Sequence, residues 1–297
     1  MSALRRLRFT DSNLRYILLA PTIVLLLLLT IYPLVFAIVA SLQTVNIRTG
    51  IARFSGGSNF AAMVTDKLFW NAMAHTAIYT GSAVTVEFIL GLSLALVLNE
   101  QFLGRNVYRT LFLAPMMLPP IVVAITFKII YMQQYGIANW LLGLVGIHGM
   151  LWESGPQTAL LSLILVDVWE WTPFMFLILL AGLQAIPTEP YEAAKVDGAS
   201  WFMSFRHITF PLLTPAVLIA VLLRFMDTLR IFDQVFVMTQ GGPANATETI
   251  SLYIYQTAFA FTNVGYATAM SFVLLVVTTV IGNLFVSRLQ AEEVFTQ

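Results

Sequence analysis

Six long apolar runs leave this chain few places to fold other than a lipid bilayer. They cover about residues 16–42, 71–98, 107–131, 157–183, 213–238 and 263–287. A helix needs roughly 20 mostly apolar residues to cross a hydrocarbon core about 30 Å thick, and each run meets that length. In lipid every backbone amide must be satisfied within the protein, so runs of this length predict α-helices. The expected fold is all-α: a polytopic membrane protein of six transmembrane helices. Composition agrees. Hydrophobic residues make up 59% of the 297 positions and charged residues 10%, against about 25% charged in an average soluble domain. Lys+Arg and Asp+Glu both number 15, so nothing points to nucleic acid as a partner. The chain contains no cysteine, which excludes disulfides, thiolate metal sites and cysteine nucleophiles.

Arg5, Arg6, Arg8 and Arg15 precede the first run, as in a signal peptide. The apolar core is longer than a signal peptide needs and no convincing small-x-small cleavage site follows, so the run is read as a retained first span. Charge then sets orientation. With the N-terminus inside, the inner segments hold Arg5, Arg6, Arg8, Arg15, Arg105, Arg109, Lys195, Arg206 and Arg288, while the outer loops hold Arg48, Arg53 and Lys67. Both termini are therefore expected in the cytoplasm. This divides the chain into a cytoplasmic N-terminal segment (1–15), a transmembrane domain (16–288) and a cytoplasmic tail (289–297), with outer loops at 43–70, 132–156 and 239–262.

One polar stretch, YEAAKVDGASWFMSFRHITFPLLTP at 191–215, interrupts the apolar chain on the inner side. Thr188 can cap a helix start and Pro190 suits its first turn. Gly198 tolerates the left-handed conformation that ends a helix. Ser200 can cap a second short helix that Pro211 is expected to stop. Two short helices around Gly198, over 188–212, are the expectation. This stretch resembles the EAA loop of the membrane subunits of binding-protein-dependent ABC importers. Glu192, Ala193, Ala194, Asp197, Gly198, Ala199, Phe205, Ile208 and Pro211 carry the resemblance. It extends into GLQAIPTEPYEAA before the loop and QGGPANATETISLYIYQTAFAFTNVGYATAMS after the fifth span, where the chain is similar to maltose-type sugar permeases. The resemblance implies a type I importer permease fold in a bacterial or archaeal cytoplasmic membrane. It implies that Glu192, Ala193, Ala194, Asp197, Gly198 and Ala199 dock on a separate ATPase. The implied partners are a second permease subunit, two ATPase subunits and an extracytoplasmic solute-binding protein, the last meeting outer loops around Gly241–Thr249. No Gly-Lys pair occurs in the chain, so it has no Walker A loop. ATP and magnesium are expected on the partner ATPase, with no cofactor, metal or catalytic residue in this chain.

Ionisable residues at membrane depth are costly and mark candidate functional sites. Eight fall there: Glu87, Lys128, Asp167, Glu170, Arg224, Asp227, Arg230 and Asp233. The last four recur every three residues, which predicts a sign-alternating ladder along one side of the fifth helix. At about 1.5 Å per residue, Arg224, Asp167 and Glu170 lie roughly 15–20 Å into their helices, near the midplane where transporters bind solute. Lys128 lies near an outer end and is expected to snorkel. For Glu87, packing and gating both remain open. The ladder itself has two readings, internal charge neutralisation or binding of a hydroxyl-rich solute. The resemblance to sugar permeases implies contact positions at Asp167, Glu170, Trp171, Phe174, Arg224, Asp227 and Thr228, with Met116 and Pro120 on the third span. The expected cargo is a sugar or polyol, and the net negative charge of the eight residues is compatible with a neutral one. The rival reading is an ion-coupled secondary transporter that uses the same carboxylates as a proton relay.

Overall fold

The computed structural model describes residues 11–46 and 51–295. The first ten residues of the expected cytoplasmic N-terminal segment and the last two of the tail lie outside the described residues. The chain divides into two compact units: residues up to 65 with 256–274, and residues 66–255 with 275 onward.

The first unit contains α1 (Asp11–Ser41), strands β1 (Gln43–Asn46) and β2 (Ile51–Phe54), α2 (Ser58–Thr65) and the N-terminal part of α13 (Val264–Phe295). β1 and β2 pair antiparallel with Gln43 opposite Phe54. This hairpin follows the first apolar helix, within residues 43–70, and the sequence reading did not anticipate it. The Asn59 side-chain amide ties α2 to the hairpin by donating to Ser41 O at 2.8 Å and Gln43 O at 3.0 Å. A Cβ on Gly265 would collide with the Gln43 carbonyl, so α13 approaches β1 through a bare backbone.

The second unit contains α3 (Lys67–Asn99), α4 (Arg105–Leu113), α5 (Pro120–Ile130), α6 (Ile137–Leu144), α7 (Ala159–Ala185), α8 (Glu189–Val196), α9 (Trp201–Ser204), α10 (Phe210–Thr228), α11 (Asp233–Met238) and α12 (Ile250–Tyr255). Asp66 caps α3 by accepting from Leu68 N at 2.9 Å, satisfying one of the amides a helix start leaves free. Helices α3 and α7 touch where side chains vanish. A Cβ on Gly91 would lie 2.9 Å from Met175 Cβ and 2.9 Å from Phe176 N. Gly182 of α7 faces α10 as closely, 2.6 Å from Ala216 Cβ. Small residues at such crossings let apolar helices gain dispersion contact that lipid cannot match.

Five stretches among the described residues are long and apolar enough to cross a membrane: Leu18–Ser41, Lys67–Asn99, Ala159–Ala185, Trp201–Met238 and Val264–Leu289. The third expected span, 107–131, is not one helix. It consists of α4, a 3-10 turn at Pro115–Met117 and α5. Pro115, Pro119 and Pro120 supply no amide hydrogen, and Pro119 is extended with ψ 134°, so the α-helical ladder cannot pass through.

The other helix expectations need two further corrections. Pro211 does not stop the helix after Ser200. Ser200 caps α9 through Met203 N, and the chain then passes through a π-helical turn at Phe205–Thr209 into α10. Phe210 N bonds back five residues to Phe205 O, a widened turn that accommodates a proline without ending the helix. The fifth span is also broken, between Thr228 and Asp233. Arg230 N and Ile231 N close with 3-10 bonds to Asp227 O and Thr228 O. Phe232 then leaves helical geometry with φ −137°, and α11 follows. The charged ladder therefore does not run along one helix face: Arg224 and Asp227 lie on α10, Arg230 in the turn, and Asp233 at the start of α11.

Two apolar clusters fill the second unit. One joins Tyr79, Val123, Leu163 and Val235. The other joins Leu98, Met175, Leu179 and Leu213. Along α7, Glu170 falls between the stretches that feed these clusters, and Asp167 lies within the first, between Val166 and Val168.

Candidate functional site

Three helices bring charge to one buried point. The Arg224 guanidinium on α10 donates through Nε to Glu87 Oε2 at 2.8 Å and through Nη2 to Glu87 Oε1 at 2.9 Å. Nη2 also donates to Asp167 Oδ2 at 2.9 Å, and Nη1 to Asp227 Oδ2 at 2.6 Å. The Glu87 pair is bidentate, the geometry in which a guanidinium and a carboxylate match best. Arg224, Glu87 and Asp167 are all buried, whereas the Asp227 side chain is 59% exposed. One cation thus faces three carboxylates. The Trp171 ring lies against the guanidinium, with Cζ 4.8 Å from the ring centroid, so the aromatic quadrupole adds to the stabilisation. Thr228 turns its hydroxyl back to Arg224 O at 2.9 Å, which spends its hydrogen within the helix near the break.

A second polar layer joins the same helices. Tyr79 on α3 donates its hydroxyl to Gln234 Oε1 at 3.0 Å, and Gln234 Nε2 donates to Glu170 Oε2 at 2.8 Å. All three residues are buried.

Beside these layers is a cavity of about 370 Å³ lined by Pro120, Trp171, Asp227, Arg230, Ile231, Phe232, Asp233 and Gln234. It sits where α10 breaks. Non-helical backbone at membrane depth persists where it is buried in protein or lines a cavity. Here Thr249 Oγ1 donates to Ile231 O at 3.4 Å, serving a carbonyl the break releases.

The structure therefore gathers most of the expected positions. Asp167, Trp171, Arg224, Asp227 and Thr228 form one group. Glu170 stands in the second layer, bonded to Gln234, and Phe174 packs edge-on to Trp171 at 6.2 Å. Pro120 lines the cavity, whereas Met116, half-buried in the 3-10 turn, does not. Glu87 is the bidentate partner of Arg224. Gln234 and Tyr79 were missed, because neither carries a charge. The Lys128 ammonium donates to Val237 O at 2.7 Å, against the C-terminal end of α11.

The polar loop is separate from this site. Its first helix carries Glu189 and Glu192 in the first turn and Lys195 in the last, each placed favourably in the helix dipole. Gly198 has φ 74° with open space around its Cα. Glu192, Ala193, Asp197 and Gly198 are exposed, and Ala194 and Ala199 half-buried. Val196, Trp201 and Phe202 are 88%, 69% and 63% exposed, so the loop presents an apolar rim around a glycine turn.

Membrane-length helices, a charge-lined cavity at a helix break and an exposed two-helix loop together define a transport permease. The fold matches the solved structure of a bacterial ABC transporter that imports alginate, with a TM-score of 0.81 over 94% of this chain and 95% of that one, at 23% identity. The chain belongs to the family of binding-protein-dependent transport system inner membrane components, whose model matches residues 87–291. Among curated relatives, it is 39% identical to the trehalose/maltose transport system permease protein MalF of Thermococcus litoralis over 88% of this chain and 87% of that protein. It is 35% identical to the sulfoquinovosyl glycerol transport system permease protein SmoG of Agrobacterium fabrum over 91% and 88%. It is 33% identical to the lactose transport system permease protein LacF of Rhizobium radiobacter over 92% and 93%.

Proposed function

We propose that this chain is the permease subunit of an ATP-driven, binding-protein-dependent ABC importer that carries a neutral sugar or polyol across a bacterial or archaeal cytoplasmic membrane. The observation that carries the reading is the cavity at the α10 break. Its volume of about 370 Å³ falls in the roughly 300–1,000 Å³ range of small-molecule sites. Trp171 offers an apolar face for sugar C–H groups, while Asp227, Asp233 and Arg230 offer hydrogen bonds to hydroxyls. Two carboxylates and one guanidinium disfavour an anionic solute. The relatives named for trehalose, maltose and lactose transport support the same solute class.

In this reading the chain pairs with a second permease, and both termini lie in the cytoplasm. A solute-binding protein delivers cargo to the outer loops, including Gly241–Thr249. The α8–α9 loop around Gly198 docks on one of two ATPase subunits, which hold ATP and magnesium. This chain contributes no catalytic group and holds no cofactor. Transport requires that solute and nucleotide favour different states of the pathway. Uptake by proteoliposomes containing the full complex tests the reading: it is expected to need ATP and the binding protein. Uptake driven by an ion gradient alone would instead establish the secondary-transporter reading. Gly198→Glu and Glu192→Arg are expected to abolish uptake while leaving the permease inserted. Normal ATP-driven uptake by either variant would remove the loop from the coupling path.

A further inference from the structure

Gln234 occupies an unusual place. It is fully buried, it lines the cavity, and it sits on α11, just past the break. Its amide is committed on both sides, accepting from the Tyr79 hydroxyl of α3 and donating to Glu170 Oε2 of α7. Glu170 is fully buried as well, and its other oxygen, Oε1, has no hydrogen-bond partner among the described residues. Buried polar atoms are almost always paired, and leaving one unpaired costs free energy. Gln234 lines the cavity and Glu170 does not, so the Gln234 amide stands between that free acceptor and any donor that arrives from outside.

We propose that Gln234 is a positioning residue: its amide, braced by Tyr79, fixes the Glu170 carboxylate so that Oε1 receives one particular hydroxyl of the solute. The proposal rests on the sugar or polyol reading of the cavity. Only a side chain that donates and accepts at once can join a phenol to a carboxylate in this way. Leucine can do neither, and glutamate would set two carboxyl groups against each other. Because Tyr79, Glu170 and Gln234 come from three different helices, the relay also sets where α11 stands against α3 and α7.

The test uses proteoliposomes carrying the complete complex with its ATPase and binding protein. Trehalose, maltose and lactose serve as probes, and the sugar that the wild type carries fastest is taken forward with its monodeoxy analogues. Gln234→Leu is expected to lower the maximal uptake rate about tenfold, the scale of one hydrogen bond to a charged group. The concentration of loaded binding protein giving half-maximal uptake is expected to stay the same, because docking does not involve the relay. Tyr79→Phe is expected to lower the rate about threefold, consistent with loss of a single neutral hydrogen bond. For one analogue, the one lacking the hydroxyl that meets Glu170, wild type and Gln234→Leu should transport at the same reduced rate. Such non-additivity marks a shared interaction. Losses that multiply for every analogue, or uptake by Gln234→Leu at the wild-type rate, would overturn the proposal. If Gln234→Leu fails to assemble, Tyr79→Phe must show the same non-additivity with the same analogue, and its absence would overturn the proposal equally. Wild-type uptake that runs on an ion gradient without ATP or binding protein would refute the proposed function itself, a failure seen without any variant.

Discussion

Replacing Arg224 with methionine tests whether charge or shape holds the buried cluster together. The guanidinium makes four hydrogen bonds, two to Glu87, one to Asp167 and one to Asp227. Methionine keeps much of the volume and removes the cation, leaving Glu87 and Asp167 buried without it. Breaking a buried pair from one side costs about 3–5 kcal/mol, because the remaining charge is uncompensated. At roughly 2–4 °C per kcal/mol, the melting temperature of the purified complex should fall on the order of 10 °C. The Asp227 arm behaves differently. Its side chain is 59% exposed, so Asp227→Asn should cost no more than about 1 kcal/mol of stability while impairing uptake. The discriminating variant combines Arg224→Met with Glu87→Gln and Asp167→Asn. The Arg224 cluster then holds no buried charge, and most of the lost stability should return, since neutral groups of similar volume often replace a buried ion cluster at little cost. Heating followed by size-exclusion chromatography reads all three melting points. A single variant that melts with the wild type, or a triple variant that melts no higher than the single, would show that the electrostatic argument is wrong.

Gly182→Ala should destabilise the complex by about 1–3 kcal/mol, because the added Cβ would stand 2.6 Å from Ala216 Cβ and 2.8 Å from Leu213 Cδ1, and close-packed helices yield little. An unchanged melting temperature would mean that α7 and α10 are looser than described. Glu153, in the loop before α7, has its carboxyl pushed up to about 7 from 4.5 by burial, with the Lys128 ammonium partly opposing. The folded state therefore holds a proton that the unfolded chain releases, so the contribution of Glu153 to stability is full below about pH 4.5 and is lost as pH rises through about 7. Glu153→Gln should melt progressively higher relative to the wild type between about pH 5 and about pH 8, and a constant difference would refute the assignment.

How much of this could be read in the sequence depended on whether the deciding contact was local. The apolar runs were legible because length and composition alone set them. The glycine turn of the polar loop was legible because Gly198 takes φ 74°, which glycine adopts without strain. The broken third span was written in Pro115, Pro119 and Pro120, yet the apolar run hid it, since hydropathy ignores backbone amides. The break after Thr228 has no such mark. No proline or glycine occurs between Pro215 and Gly241, and the released Ile231 carbonyl is served by Thr249, 18 residues away. Spacing by three correctly picked out Arg224 and Asp227 as a pair and wrongly extended the pattern to Arg230 and Asp233. The roles of Glu87 and Gln234 depend on partners 137 and 64 residues distant, which no local pattern encodes.

The break also reconciles the two readings of the charged ladder. Had α10 continued to Asp233, all four charges would have lined one helix, and mutual neutralisation would have sufficed. The break separates them by role. Arg224 goes inward with Glu87 and Asp167, where the charges are buried and hydrogen-bonded. Arg230 and Asp233 go to the cavity wall. Asp227 belongs to both, accepting from Arg224 at 2.6 Å while lining the cavity. A hydroxyl arriving at Asp227 competes for a carboxylate that already steadies the buried guanidinium. In the proposed importer, solute binding therefore changes the electrostatics of a cluster that ties α10 to α3 and α7. That gives occupancy of the cavity a direct physical route to the helices on which a change of state would depend.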